Sequence, residues 1–177
     1  MKSVLISIRP QWVEKIASGE KTIEVRKTAP QEVPFKCYIY ETKGQYVKFT
    51  HGAHTKYGYG RGKVIGWFIC DKVDEYHYDY CDGVDIDDDT ILETAIDRED
   101  INIYAKGKTL YGWHISDLKI YDKPKELSEF SRPCSYSGLC FSCKRTSFKK
   151  DGNLLCNTKI TRPPQSWMRV EDLGEEK

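Results

Sequence analysis

The nine residues from Gly19 to Lys27, Gly-Glu-Lys-Thr-Ile-Glu-Val-Arg-Lys, constrain this chain more than any other stretch. From Thr22 onward they alternate. Thr22, Glu24 and Arg26 share one face of a predicted strand, and Ile23 and Val25 occupy the other. Burial of Ile23 and Val25 fixes the strand. Its opposite face then carries a hydroxyl, a carboxylate and a guanidinium, each about 7 Å from the next. Such a row can be a solvated sheet face with an exposed ion pair of under about 1 kcal/mol, or the polar wall of a binding cleft.

The segment before it helps decide. Val4, Ile6 and Ile8 alternate with Leu5, Ser7 and Arg9, which predicts a first strand with one apolar and one mixed face. Pro10 suits the first turn of a helix. Trp12, Val13, Ile16 and Ala17 follow on one helical stripe, with Trp12 expected in the core. Gly19 is a natural stop because it accepts the left-handed conformation.

Ser7-Ile8-Arg9-Pro10 followed by Gly19-x-Lys21-x-x-Glu24-x-Arg26 resembles the signature of the ASCH domain family. Weaker similarity continues to about Phe130, including Gly112-Trp113-His114-Ile115-Ser116, which resembles a late barrel strand of that family. The resemblance implies an α+β chain built on a PUA-like mixed β-barrel with short helices. It also implies that the polar signature residues line a cleft for RNA or a nucleotide-like ligand. The ligand set expected on this basis is Ser7, Arg9, Lys21, Thr22, Glu24 and Arg26, with Trp67 or Trp113 stacking on a base. The family also includes small amidohydrolases acting on acetylated cytidine, and ribonucleases. Lys21 matches the amidohydrolase lysine, but the nucleophilic Thr of those enzymes falls at Glu24; Thr22 lies two residues earlier. A carboxylate is not the hydroxyl that acyl transfer needs, so a binding module is preferred to an enzyme using Lys21, Glu24 and Thr22.

Composition sets the outer bounds. At 177 residues the chain is one domain with a possible appendage. Hydrophobic residues at 39% and charged residues at 31% are those of an ordinary globular protein. No apolar run approaches membrane-span length, and the start lacks a signal-peptide pattern, so a cytoplasmic protein is expected. Cysteines would then be reduced, and clustered ones point to metal.

A net charge of +1 hides a separation. Residues 71 to 100 hold thirteen Asp or Glu against Lys72 and Arg98, a net of −11. Residues 141 to 170 hold seven Lys or Arg against Asp151, a net of +6. The basic end suits a polyanion and the acidic segment a protein partner, although solubilising surface explains either block as well.

Between these blocks the reading is coarser. Cys37 to Glu41 predicts a strand, with Cys37 as a small buried hydrophobe. Thr42 to Gly62 reads as irregular, with basic residues interleaved with Tyr46, Phe49, Tyr57 and Tyr59, a mixture that can grip phosphates and stack bases. Its Tyr57-Gly58-Tyr59-Gly60-Arg61-Gly62-Lys63 lacks the spacing of a phosphate-binding fingerprint. Val64 to Cys70 is apolar on both faces and belongs inside a sheet. Asp71 to Asp89 reads as a loop without the order of a calcium-binding loop. Thr94 and Asp97 resemble helix caps ahead of Ile101, Tyr104 and Ala105. Lys108 to Tyr121 returns to strand, and Pro124 to Phe130 to a helical turn.

The last part changes character. Cys134-x5-Cys140-x2-Cys143-x12-Cys156 places four of the seven cysteines close together. A Cys-x-x-Cys pair is the spacing at which two thiolates share one Zn²⁺, and Cys134 and Cys156 would complete a tetrahedral, structural site. Four unrelated reduced cysteines are the alternative. Residues 131–160 therefore read as a basic zinc-knuckle-like segment after a 1–130 barrel domain. Residues 161–177 read as a closing segment and tail, because Ile160 to Trp167, with its Pro-Pro-Gln-Ser-Trp, resembles the ending of phage and bacterial ASCH proteins. That resemblance implies that the ending folds back onto the barrel.

Overall fold

The computed structural model describes residues 1–51, 54–134, 146–148, 154–156 and 158–174. Strand β1 (Lys2–Ile8) leads through Arg9 into helix α1 (Pro10–Ala17), which begins on Pro10 as expected. Gly19, at φ 79°, turns the chain into β2 (Ile23–Arg26). There follow β3 (Phe35–Glu41), β4 (Gln45–His51), β5 (His54–Tyr59), β6 (Val64–Cys70) and β7 (Val73–Tyr76). A short pair, β8 (Tyr78–Asp79) and β9 (Gly83–Val84), precedes α2 (Asp88–Thr94) and α3 (Arg98–Ala105). Then come β10 (Leu110–His114), β11 (Ser116–Lys125), a 3-10 turn at Leu127–Glu129, β12 (Thr146–Phe148), β13 (Leu154–Cys156) and β14 (Trp167–Val170).

The architecture is α+β, mostly strand with short helices. Two ladders dominate it: a five-stranded sheet in the order β11-β6-β3-β1-β14 and a three-stranded sheet in the order β2-β10-β7. They are separate hydrogen-bonded ladders rather than one closed cylinder. Among the described pairs of these two sheets, only β1 and β3 run parallel; the others are antiparallel. All seven residues of β3 are buried because both faces of the larger sheet are covered. One face packs Val4, Ile6, Ile39 and Phe68 against Trp113 of the smaller sheet and Val13 and Ile16 of α1. The other packs Leu5, Tyr38 and Val64 under Phe130, Ile160 and Val170. The burial of Leu5 explains why β1 is buried on its mixed face as well. A third cluster, Val25, Tyr76, Ile101, Ala105 and Leu110, joins α3 to the smaller sheet.

Cys37 is buried, as expected of a small hydrophobe. The glycine in mid-β6 has a specific cause: a Cβ on Gly66 would overlap the Lys119 carbonyl oxygen, so only glycine lets β11 approach. Among the described residues, no helix is long and apolar enough to cross a membrane.

Two expectations about irregular chain are corrected. Residues 42–62 contain the hairpin β4–β5, which pairs Gln45 with Tyr59 and His51 with His54 across a register shift between Val47 and Phe49. One face of the hairpin is solvent-exposed yet carries Val47, Tyr57 and Tyr59, so apolar and polar residues do not alternate as a strand pattern requires. Residues 71–89 are not a simple loop either. Strand β7 pairs with β10, and Asp87 starts α2 by accepting a hydrogen bond from the Thr90 N–H at 2.8 Å. The expected cap at Thr94 is the end of that helix, where its hydroxyl donates to the Ile91 carbonyl.

Candidate functional site: a polar cleft on the signature strand

Strand β2 is pinned on both sides. Its backbone pairs with β10, placing Glu24 opposite Trp113 and Arg26 opposite Tyr111, and the N–H of Thr22 donates to the Glu93 carbonyl at 2.9 Å. Ile23 and Val25 are buried as the alternation requires. Glu24 and Arg26 form part of the wall of a cleft of ≈ 750 Å³, whose other walls come from the end of β1, the start of α1, α3 and residues 163–165.

The charges in this wall are buried and mutually bound. Arg26 Nη2 donates to the Ser7 carbonyl at 2.7 Å and lies 2.9 Å from Glu24 Oε1. Lys21 Nζ lies 3.5 Å from Glu24 Oε2 and donates to the Thr94 carbonyl at 2.6 Å. One carboxylate thus sits between two cations, leaving the group net positive. Lys21 is 1% exposed, Glu24 5% and Arg26 9%. Burial holds the Lys21 ammonium below its ordinary pKa, and the neighbouring Glu24 works against that shift. Arg26 Nε is buried without a partner among the described residues, so the group keeps one unused donor.

Of the residues expected in the cleft, Ser7, Arg9, Glu24 and Arg26 line it. The Ser7 hydroxyl is occupied, donating to the Pro164 carbonyl at 2.7 Å. Arg9 is exposed at the rim. Lys21 lies behind Glu24 rather than on the wall, with its ammonium 5.6 Å from the Trp12 ring. Thr22 is exposed and precedes the strand; its backbone is held by α2 and by Ile115, whose N–H donates to its carbonyl.

The two tryptophans expected to stack lie elsewhere. Trp113 is fully buried between the sheets, edge-on to Phe35 at 5.1 Å and to Trp167 at 5.9 Å. Its place in β10 turns it into the inter-sheet core, where no ligand reaches it. Trp67 packs in the cluster on the opposite face of the large sheet, between Lys36 at 4.4 Å and Lys119 at 5.2 Å. The cleft's aromatic rings are Trp12 and Tyr104 instead.

Tyr104 sits at the edge of the α3 stripe whose centre is Ile101 and Ala105, and edge positions read as core from sequence alone. Its hydroxyl is pushed above the ordinary phenol pKa by burial and Glu24, while Arg26 and Arg9 pull it down, which places it within the field of the site. Lys27 Nζ lies 4.9 Å over its ring. Pro163, Pro164 and Gln165 complete the cleft because β14 pairs antiparallel with β1, and Trp167 Nε1 donates to Thr28 Oγ1 at 3.0 Å. The Pro-Pro-Gln-Ser-Trp ending thus folds back to close the site.

The expected zinc ligands Cys140 and Cys143 lie outside the described residues. Cys134 is exposed, and of Cys156 only the backbone, in β13, is described.

No family model matches this chain, and no curated protein matches it. Solved structures do. The structure of ASCH from Zymomonas mobilis superposes with a TM-score of 0.56 at 18% identity, over 96% of this chain and 88% of that one. A mutant of the same protein gives 0.57 at 17% identity, over 96% and 89%. A likeness at that identity is one of fold, and with the signature strand lining the cleft, this chain has the ASCH fold.

Proposed function

We propose that the chain is a PUA-like, ASCH-type module that binds RNA or a nucleotide-like ligand in the cleft built on Gly19 to Lys27. One observation carries this reading: a buried Lys21–Glu24–Arg26 group with net positive charge lies at a ≈ 750 Å³ cleft flanked by Arg9 and the rings of Trp12 and Tyr104. Burial of like-signed excess charge is costly, and an anionic ligand offsets that cost. The rings offer planar contact to a base, and the carboxylate can accept from an exocyclic amine. Titration calorimetry with nucleotides and short RNAs tests this, using Arg9→Ala and Tyr104→Ala. Both residues are at least partly exposed, so the fold should survive. Each change should weaken binding about fivefold or more; unaltered affinity in both would remove the cleft from the argument.

The Cys-rich segment fits the same reading as a basic, zinc-stabilised excursion. Its described ends are joined: Ser131 bridges Lys159, and the Arg132 N–H donates to the Thr158 carbonyl at 2.8 Å. Strands β12 and β13 pair with Thr146 opposite Cys156. These pairings support an insertion that leaves and re-enters the fold at one place. Cys134, Cys140, Cys143 and Cys156 would hold Zn²⁺ as thiolates, a purely structural role.

An enzyme acting on nucleosides or RNA is the second reading, favoured by the depressed pKa of Lys21, a property of catalytic lysines. Its position behind Glu24 speaks for the binding module.

A further inference from the structure

The segment Tyr57-Gly58-Tyr59-Gly60-Arg61-Gly62-Lys63 lies outside the cleft, and its alternation has a structural cause. A Cβ on Gly58 would overlap the Tyr46 ring, and one on Gly60 would overlap the Thr42 carbonyl oxygen. Gly62, at φ 68°, has the Lys43 side chain where its own would be. Glycine at every second position presses this segment flat onto its neighbours. The intervening side chains point away: Tyr57 is 49% exposed and Tyr59 is 71% exposed. Val47, 55% exposed, sits opposite Tyr57 on the same face of the hairpin.

The two cations that follow enter a second cavity. Arg61 and Lys63 line a groove of ≈ 540 Å³ with Lys123, Ile120 and Pro124, and Asp122 is the groove's acidic residue. Lys63 pairs with Glu126 at 2.8 Å across an exposed contact, and Arg61 lies 3.9 Å from Glu41. The exposed Lys63–Glu126 pair contributes little and exchanges readily for a stronger anion; the Arg61 side chain is exposed, while the Glu41 carboxylate beside it is buried and accepts from the Arg61 N–H at 2.7 Å. The order along the chain is therefore two open aromatic rings, then cations converging on a groove lined by three cations and one carboxylate.

We propose that this track and groove form a second binding site, separate from the cleft, for single-stranded nucleic acid, with bases stacked on Tyr57 and Tyr59 and phosphates held by Arg61, Lys63 and Lys123. Sequence-independent single-strand binding combines these two features, stacking platforms beside a positive path. An apolar partner would give Lys123 no anion and Lys63 and Arg61 none beyond Glu126 and Glu41, and a simple anion would leave the rings unused. The site stands whether or not the cleft binds a nucleotide.

Fluorescence anisotropy with a labelled ten-nucleotide oligouridylate and its oligothymidylate counterpart tests the proposal, at low salt and along a salt series. The parent should bind both, and more tightly than a duplex of equal length, because paired bases cannot stack on the rings. Tyr59→Ala should weaken binding about fivefold to a hundredfold. Arg61→Ala with Lys123→Ala should flatten the dependence of log affinity on log salt by ~0.7 per lost phosphate contact. Thermal unfolding checks that each variant is folded, as the exposure of these side chains predicts. No binding by the parent, duplex binding as tight as single-strand binding, or unchanged affinity in Tyr59→Ala would each overturn the proposal, as would a Tyr59-dependent preference for an acidic peptide. Arg9→Ala in the same assay separates the two sites: loss there with Tyr59→Ala silent keeps the cleft and removes the track, and the reverse keeps the track alone.

Discussion

The Ser7 hydroxyl donates to the carbonyl oxygen of Pro164 at 2.7 Å, tying the first strand to a residue 157 positions later. The Ser7 N–H donates to Ser166, and the Ser7 carbonyl accepts from Arg26. One residue thus holds the closing segment and the charged strand in register. Ser7→Ala leaves the Pro164 carbonyl short of a buried donor and should cost about 1–2 kcal/mol. Urea unfolding should show the loss as a lower midpoint at unchanged slope. A midpoint equal to the parent's would mean that the closing segment is held by β14 alone.

Lys21 predicts a pH dependence. Its pKa is depressed in the folded protein relative to the ordinary 10.5. Between the folded pKa and 10.5 the unfolded chain binds the proton and the folded one does not, so stability should rise with pH across that window. Below it, the buried ammonium is a standing cost. Lys21→Met removes the group, so the stability difference between parent and variant should move in the parent's favour as pH approaches 10.5. A pH-independent difference would show that Glu24 and the Thr94 carbonyl fully compensate for burial.

Tyr104 and Trp113 should separate binding from stability. Trp113→Ala empties the space between the sheets and should cost about 3–5 kcal/mol. Tyr104→Ala removes a cleft ring and should weaken a base-containing ligand by about 1–3 kcal/mol with little effect on unfolding. Calorimetry of ligand binding beside thermal unfolding reads both. Normal stability in Trp113→Ala would contradict its place in the core.

That contrast also shows what the sequence made legible. The alternation from Ile23 to Arg26, the Pro10 start and the Gly19 stop could be read directly, because each follows from local geometry. So could the resemblance that placed Ser7, Glu24 and Arg26 together. The stacking residues could not. Whether Trp113 faces a cleft or a second sheet depends on which ladders pack together, and periodicity within β10 is the same in both cases. Tyr104 reaches the cleft only because α3 lies over β2, a contact between residues far apart in the chain. The hairpin β4–β5 stayed hidden because aromatic side chains on its open face imitate burial, and the acidic elements because their charge masked the pairing of β7.

Incubation with acetylated cytidine should release no acetate above background. The Lys21 ammonium is engaged by Thr94 and Glu24, the Ser7 hydroxyl is committed to Pro164, and Thr22 lies off the cleft wall. Acyl transfer needs a free hydroxyl beside a base. Turnover that disappears in Lys21→Met while that variant remains folded would establish the enzyme reading in place of the binding module.

The final prediction concerns the metal. Protein purified without chelator should contain one Zn²⁺ per chain, bound by Cys134, Cys140, Cys143 and Cys156. Lys144, Arg145, Lys149 and Lys150 lie between the third and fourth of these cysteines, so the metal would hold four cations in one loop. Chelation should then lower nucleic-acid affinity and flatten its salt dependence, because fewer phosphates are neutralised together. The unfolding midpoint of the rest should change little, since the clusters that hold the two sheets together draw on strands of both sheets, α1, α3, Phe130 and Ile160. Elemental analysis and thiol titration of the native protein decide the matter. Zinc near zero with all four thiols reactive would mean that these cysteines share only a stretch of sequence.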